Sequence, residues 1–294
     1  MNNLSHPIIF GEVLYDCFPE GESVLGGAPF NVAWHCQAFG IEPLLISRIG
    51  DDLLGNNVIK AMQDWGMKTE GLQIDSDHPT GKVNVSFHNN EPSYDIIENS
   101  AWDFINSRNL PSLTKNSILY HGSLALRNPK SARCLESIKK TISPSTFIDI
   151  NLREPWWDIS KIYETMHNSQ WLKVNEDEIN IILPEPENII DKARSLKEML
   201  NLEFIIVTQG SSGAFAVTQD NYFHVSPKYN ENIVDTVGAG DAFTSVLILG
   251  LYKLWGIEKT IDRAQQFASQ VVGIRGATTQ SIDFYEHFIK EWDL

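Results

Sequence analysis

The feature that most restricts the fold of this chain is a set of short apolar runs that do not alternate with polar residues. PIIFGEVLY, PLLISRI, SILYH, STFIDI, QWLKV and FIIVT recur along the 294 residues. Helix-like stretches separate them: PFNVAWHCQAF, Leu53 to Trp65, and segments near 129–140, 158–168, 176–183 and 187–200. A strand that is apolar on both sides must be covered on both faces. That predicts an α/β fold with an open, mostly parallel sheet and helices on both faces, as one domain over residues 1–294. One region breaks the rhythm. From Gly71 to Ile97, Val83, Val85 and Phe87 alternate with Asn84, Ser86 and His88, and Tyr94 and Ile96 repeat the pattern after HNNEPS, a turn-like cluster. Period two means one covered face and one wet face. Either a lid or an edge hairpin of the sheet fits, with insertions near 14–24 and 71–98 as the lid.

Charge and cysteines narrow the class. The net charge of −15 argues against nucleic acid or an anionic membrane as the main partner. It leaves room for a nucleotide, because charges beyond about 8 Å are largely screened at physiological salt and one local positive site suffices. Cys17, Cys36 and Cys134 form no CxxC pair, which fits a reducing compartment. The start, MNNLSHPIIFGEV, has no basic stretch followed by an apolar one, so a cytoplasmic protein is expected. The longest apolar region, Ala242 to Trp255, is too short to span a bilayer and reads as a buried helix.

The motif with the most chemistry is DTVGAGDAF, Asp235 to Phe243. The helical run TSVLILGLYKLW follows, so Gly238, Ala239 and Gly240 stand at a helix N-terminus. Free N–H groups there attract an anion, and glycine lets the backbone approach it. No GK[ST] follows, and Phe243 occupies the third glycine position of a dinucleotide fingerprint. A pure anion site has no use for Asp241. A phosphoryl-transfer site needs a base beside its donors; a simple helix-end acid is the plainer alternative. Asp16, Arg153, Asn175 and Thr208-Gln209-Gly210 each follow an apolar run, which would gather them at the carboxyl edge of the sheet, where ligands bind in open α/β folds. Asn175 and Glu178, three apart, suit either a hydrated Mg²⁺ or an ordinary helix cap. GGAPFNVA, Gly26 to Ala33, is a second glycine turn before a helix, with no Lys or Arg nearby. With Gly26, Gly27, Asn31 and Asp16 it could hold a neutral polyol. His35, in an apolar helix, reads as a packed core residue.

These motifs together resemble the ribokinase-like (PfkB) carbohydrate kinases over nearly the whole chain. DTVGAGDAF is similar to that family's C-terminal signature and GGAPFNVA to its N-terminal one. VTQGSSGAF (207–215), NEDE (175–178) and RIGDDLLG (48–55) also fit. GEVLYDCFP (11–19) and DINLREPWWD (149–158) are closest to bacterial fructokinases. The resemblance implies ATP and Mg²⁺ as cofactors and a primary hydroxyl of a small sugar, fructose first, as acceptor. It makes Asp241 the base, with Gly238, Ala239 and Gly240 offering backbone N–H groups to the transferring phosphoryl. Arg153 would contact phosphate or sugar. Asn175 and Glu178 would organise Mg²⁺ through water. Thr208, Gly210 and Gly213 would line the nucleotide site, and Asp16, Gly26, Gly27 and Asn31 the sugar site. It extends to a monovalent cation, K⁺, near Asp235 and Gly276–Thr278, and to a small β-sheet lid through which copies pair as homodimers. The chain departs from the pattern at Ala28 and Pro29, where ribokinases carry a Lys, at Val246, and at Asp149-Ile150, where many fructokinases have Asp-Pro. Those departures bear on the acceptor, so 2-keto-3-deoxygluconate, ribose, a nucleoside, or a sugar-sensing role without catalysis stay open.

Overall fold

The computed structural model describes residues 5–88, 91–227 and 233–294. Its first half runs β1 (Ser5–Phe10), β2 (Leu14–Cys17), β3 (Ser23–Gly26), α1 (Ala28–Ala38), β4 (Leu44–Gly50), α2 (Leu53–Asp64), β5 (Leu72–Asp75), β6 (Gly81–His88) and β7 (Glu91–Ile96). It continues through β8 (Ser117–His121), α3 (Pro129–Ile142), β9 (Ser145–Asp149), α4 (Ile159–Met166), β10 (Trp171–Asn175), α5 (Glu176–Ile182) and α6 (Ile189–Leu200). The last part is β11 (Phe204–Thr208), β12 (Ala214–Val217), β13 (Tyr222–Val225), α7 (Ala239–Tyr252), α8 (Ile257–Val271) and α9 (Ile282–Trp292).

Nine strands form one sheet in the order β13-β12-β11-β10-β9-β8-β1-β4-β5. All neighbours are parallel except at the β11–β12–β13 edge. Alternate residues of each central strand enter different cores, which is why the runs are apolar throughout. Ile9, Tyr120, Phe147 and Ile206 pack with Phe30, Val246 and Phe267 from α1, α7 and α8. On the opposite face Ile8, Phe10 and Leu119 meet Leu135 and Ile138 of α3. Ile148, Leu172 and Ile205 meet Ile162, Ile179 and Leu196 of α4, α5 and α6. Each such buried side chain contributes about 1.5–3 kcal/mol. Helix α7 is buried from Ala242 to Gly250 without a break, as expected of a helix apolar all round.

A second sheet has the order β3-β2-β6-β7. Val83, Val85 and Ile96 are buried while Lys82 and Asn84 are exposed, as period two requires. The HNNEPS turn lies partly outside the described residues. In its second insertion this sheet begins at Gly81, not at 71. Leu72–Asp75 pairs in parallel with β4 at the edge of the large sheet, and there the alternation is inverted: Gln73 and Asp75 are buried and Ile74 is exposed. Gln73 exchanges hydrogen bonds with the Asn106 backbone, and Asp75 pairs with Arg48 at 2.9 Å. Satisfied polar groups replace apolar ones on that face, and a hydrophobicity pattern does not register them.

From β1 the chain steps to β4 and β5 on one side and later to β8 and its successors on the other. Where strand order reverses, the loops at the carboxyl ends diverge and leave a crevice. The residues singled out in the sequence lie along this carboxyl edge, with Asn175 and Thr208 farther out at the ends of β10 and β11.

Candidate active site

The two glycine turns meet at one hydrogen bond. Asn31 Nδ2 of α1 donates to Asp241 Oδ2 of α7 at 2.8 Å. Gly238 caps α7 with φ 79°, and a Cβ there would lie 2.3 Å from Ala277 Cβ, so only glycine fits this turn. Gly27, with φ 106°, caps α1; a Cβ on it would stand 2.8 Å from the Glu12 carbonyl oxygen. Asp16, on β2 of the small sheet, brings Oδ2 within 3.5 Å of the Cβ position of Gly26, and Asn31 Oδ1 comes within 3.9 Å of it. Asp16, Gly26, Asn31 and Asp241 therefore stand together. The Arg153 guanidinium forms no hydrogen bond or ion pair with the described residues, yet its charge acts on Asp16, Asp241 and Glu12.

Burial pushes the Asp241 carboxyl up to about 6, with the Asp149 charge adding to the effect; the Asn31 hydrogen bond, Lys173 and Arg153 oppose it. An acid with that affinity is ionised at neutral pH and still basic enough to accept a proton. Burial also raises Asp16 to about 6, against Arg153. Glu12 lies beyond the end of β1, 4% exposed. Burial raises it to about 7, and its Oε2 has no hydrogen-bond partner among the described residues. Tyr94 of β7 has its hydroxyl raised by partial burial and by the charges of Asp16 and Asp235. The small sheet therefore carries Tyr94 near these acids as well as supplying Asp16.

Beside these residues, strand register sets a second group. Asn175 ends β10 directly across from Thr208 at the end of β11. Asn175 caps α5: its side chain accepts from the Glu178 N–H, and Glu178 accepts from the Asn175 N–H, both at 2.8 Å. The other Glu178 oxygen accepts from Leu152 N at 2.8 Å, which ties α5 to the loop that carries Arg153. This is the helix-cap geometry, and it occupies the groups in question. No cluster of three His, Cys, Asp or Glu side chains able to cage a metal occurs among the described residues. The pair fits a hydrated Mg²⁺ carried by phosphates, since that ion keeps several waters. Gly210 has φ 52°, and Gly213, with φ 95°, packs so tightly on Val225 that a Cβ would reach its carbonyl oxygen at 2.0 Å. Asp235 accepts from Val237 N and from Gly276 N at 3.0 and 3.1 Å, which joins the two segments paired in the cation reading.

Three site residues were missed in the sequence: Asp149, Lys173 and Glu12. Lys173 Nζ donates to Asp149 Oδ2 at 2.7 Å, and Thr244 Oγ1 donates to the same oxygen at 2.8 Å. A lysine inside the apolar run QWLKV was the available signal, because a buried ammonium requires an acid partner. Its partner could be named only from the β9–β10 register, which sets Lys173 opposite Asp149.

The fold and site define a phosphotransferase of the α/β class. Residues 12–283 match the model of the pfkB family carbohydrate kinases, and the chain belongs to that family. It is 30% identical over 257 residues to a Pyrococcus horikoshii protein assigned as a sugar kinase, covering 85% of this chain and 79% of that one. It is 28% identical over 288 residues to fructokinase of Vibrio alginolyticus, covering 92% of each. The fold matches a Vibrio cholerae fructokinase solved with fructose, ADP and calcium, at TM-score 0.82 and 24% identity, over 97% of this chain and 99% of that one. Like its relatives, the protein is an enzyme that phosphorylates a carbohydrate hydroxyl. Among the described residues no helix is long and apolar enough to cross a membrane.

Proposed function

We propose that this kinase transfers the γ-phosphoryl of ATP to a primary hydroxyl of a small sugar, with fructose the first candidate. The observation that carries the reading is the Asn31–Asp241 contact. It puts a carboxylate that is still basic between the uncharged glycine turn of α1 and the N–H-rich turn of α7. The sugar sits against Asp16, Gly26, Gly27 and Asn31, beneath the small sheet as a lid. Its hydroxyl gives a proton to the free oxygen of Asp241. The hydroxyl oxygen bonds to the γ-phosphorus as the bond to the β–γ bridging oxygen breaks, and ADP leaves. The N–H groups of the Gly238–Gly240 turn hold the moving phosphoryl, and Arg153 offsets its charge. Mg²⁺, held through water by Asn175 and Glu178, would neutralise phosphate oxygens. Thr208, Gly210 and Gly213 line the nucleotide. The Asp235–Gly276 junction is the candidate place for K⁺.

Preorganised donors of this kind are each worth about 10²–10³ in rate and a positioned base about 10²–10⁴. The sugar-acid reading has one observation in its favour. The Arg153 guanidinium, unpaired among the described residues and acting on Asp16, could take a carboxylate bidentately. ATP consumption with Mg²⁺ across fructose, ribose, glucose, 2-keto-3-deoxygluconate and adenosine tests both. Turnover confined to fructose supports the first, turnover with the keto-acid selects the second, and sugar binding without ADP release refutes the kinase mechanism.

A further inference from the structure

The glycine turn carries no lysine of its own, and the chain is strongly acidic. Three carboxyls, Asp149, Glu178 and Asp241, lie buried or half-buried and close enough for their charges to act on one another. One buried ammonium stands among them. Lys173 is 5% exposed and points, like Asp149 across from it, toward α7. Asp149 Oδ2 holds it at 2.7 Å and accepts at the same atom from Thr244, one turn past Asp241. A Cβ on Gly240 would come within 3.8 Å of Lys173 Nζ. Glycine at 240 thus leaves nothing but backbone between the ammonium and the first turn of α7.

We propose that Lys173 is the fixed cation of the phosphoryl-transfer site: locked by Asp149 beneath Gly240, it supplies from β10 the positive charge that the glycine turn lacks. It acts on the transferring phosphoryl and on Asp241 without touching the acceptor, as a positioning residue. The neutral amides of the turn aim at the phosphoryl and Lys173 sets the local potential, a combination that keeps its value in a site shielded from water. The Lys173 charge lowers the proton affinity of Asp241, in line with this placement. A purely structural ion pair pinning β9, β10 and α7 is the alternative, and it predicts different data.

The inference rests on the kinase reading above, so its test includes a readout that needs no acceptor. Calorimetry with Mg²⁺ compares ADP and a non-hydrolysable ATP analogue in the wild type and in the neutral double variant Lys173→Met with Asp149→Asn. The double variant should keep ADP affinity within about threefold and lose tenfold or more in affinity for the analogue. With any productive acceptor, its kcat should fall about 10²-fold. Lys173→Arg, which keeps the charge, should retain the analogue preference; it serves as the check if the double variant does not fold.

The acid limb of kcat/KM gives the second arm. Asp241 faces Asn31 from α1, Glu12 after β1, Tyr120 from β8, Asp149 from β9, Arg153 from the following loop and Lys173 from β10. Asp149→Asn should move the limb to lower pH and Lys173→Met to higher pH. A structural pair would weaken stability in both variants and leave the analogue-to-ADP affinity ratio unchanged. An unchanged analogue-to-ADP ratio and kcat within threefold of wild type would overturn the proposal. Absence of any phosphorylated product from wild type sinks the kinase mechanism instead, while the calorimetry still decides the role of Lys173.

Discussion

The two glycine turns look alike in sequence and differ in what surrounds them. Gly26-Gly27 opens α1 and Gly238-Ala239-Gly240 opens α7, each with a left-handed glycine as cap. At α1 the second helical position is Pro29, which removes one N–H. Two acids, Asp16 and Glu12, lie at that turn, with the Arg153 charge acting on both. At α7 no proline intrudes, and Lys173 lies behind Gly240. One turn is therefore poor in donors and lined by acceptors, which suits hydroxyls. The other is rich in donors and backed by a cation, which suits phosphate. Asn31 links them by giving its N–H to Asp241. Sequence similarity between turns thus fixes backbone shape, and the neighbours decide the ligand.

The contrast can be broken at its ends. Asp241→Asn should lower kcat about 10²–10⁴-fold while calorimetry still records ADP binding; wild-type turnover would remove the base assignment. Gly238→Ala forces a side chain into φ 79° against Ala277. It should lose about 1–3 kcal/mol of stability in denaturant melts and reduce kcat, with the acceptor KM little changed. Gly27→Ala presses on the Glu12 carbonyl oxygen and should show the reverse pattern, a raised acceptor KM with ATP affinity kept. If both variants fail in the same way, the two turns are not functionally separate.

Smaller effects sharpen the same line. Asn31 holds the Asp241 carboxyl down through its hydrogen bond. Asn31→Ala should therefore move the acid limb of kcat/KM upward from about pH 6, a shift a pH–rate profile reads directly. Glu12 is raised from 4.5 to about 7. Its ionised form opposes folding, fully so above pH 7 and not at all below 4.5. Glu12→Gln should raise Tm by a few degrees at pH 8 and progressively less as pH falls to 5. A pH-independent change would contradict that origin.

Much of the fold was readable because burial on both faces leaves an unbroken apolar run, as in SILYH and FIIVT. The helix start at Gly238 and the i, i+3 relation of Asn175 and Glu178 were readable because both are local. The Lys173–Asp149 pair was not, since it depends on which strands adjoin and in what register. The segment 72–75 was assigned to the small sheet for a related reason. Its buried positions are polar and satisfied by residues at 48 and 106, so the pattern pointed the wrong face inward.

With β1 hydrogen-bonded to β4 on one side and β8 on the other, a chain leaving the ribosome carries an unpaired sheet edge until residue 121 has emerged. At about 5–20 residues per second that exposure lasts on the order of ten seconds. The turn that positions Asp241 closes later still, because Gly238 packs on Ala277. A nascent chain stalled before that point has its nucleotide strands but no finished turn. Completion of the turn that holds Asp241 therefore waits for residue 277, some forty residues after the turn itself has been made.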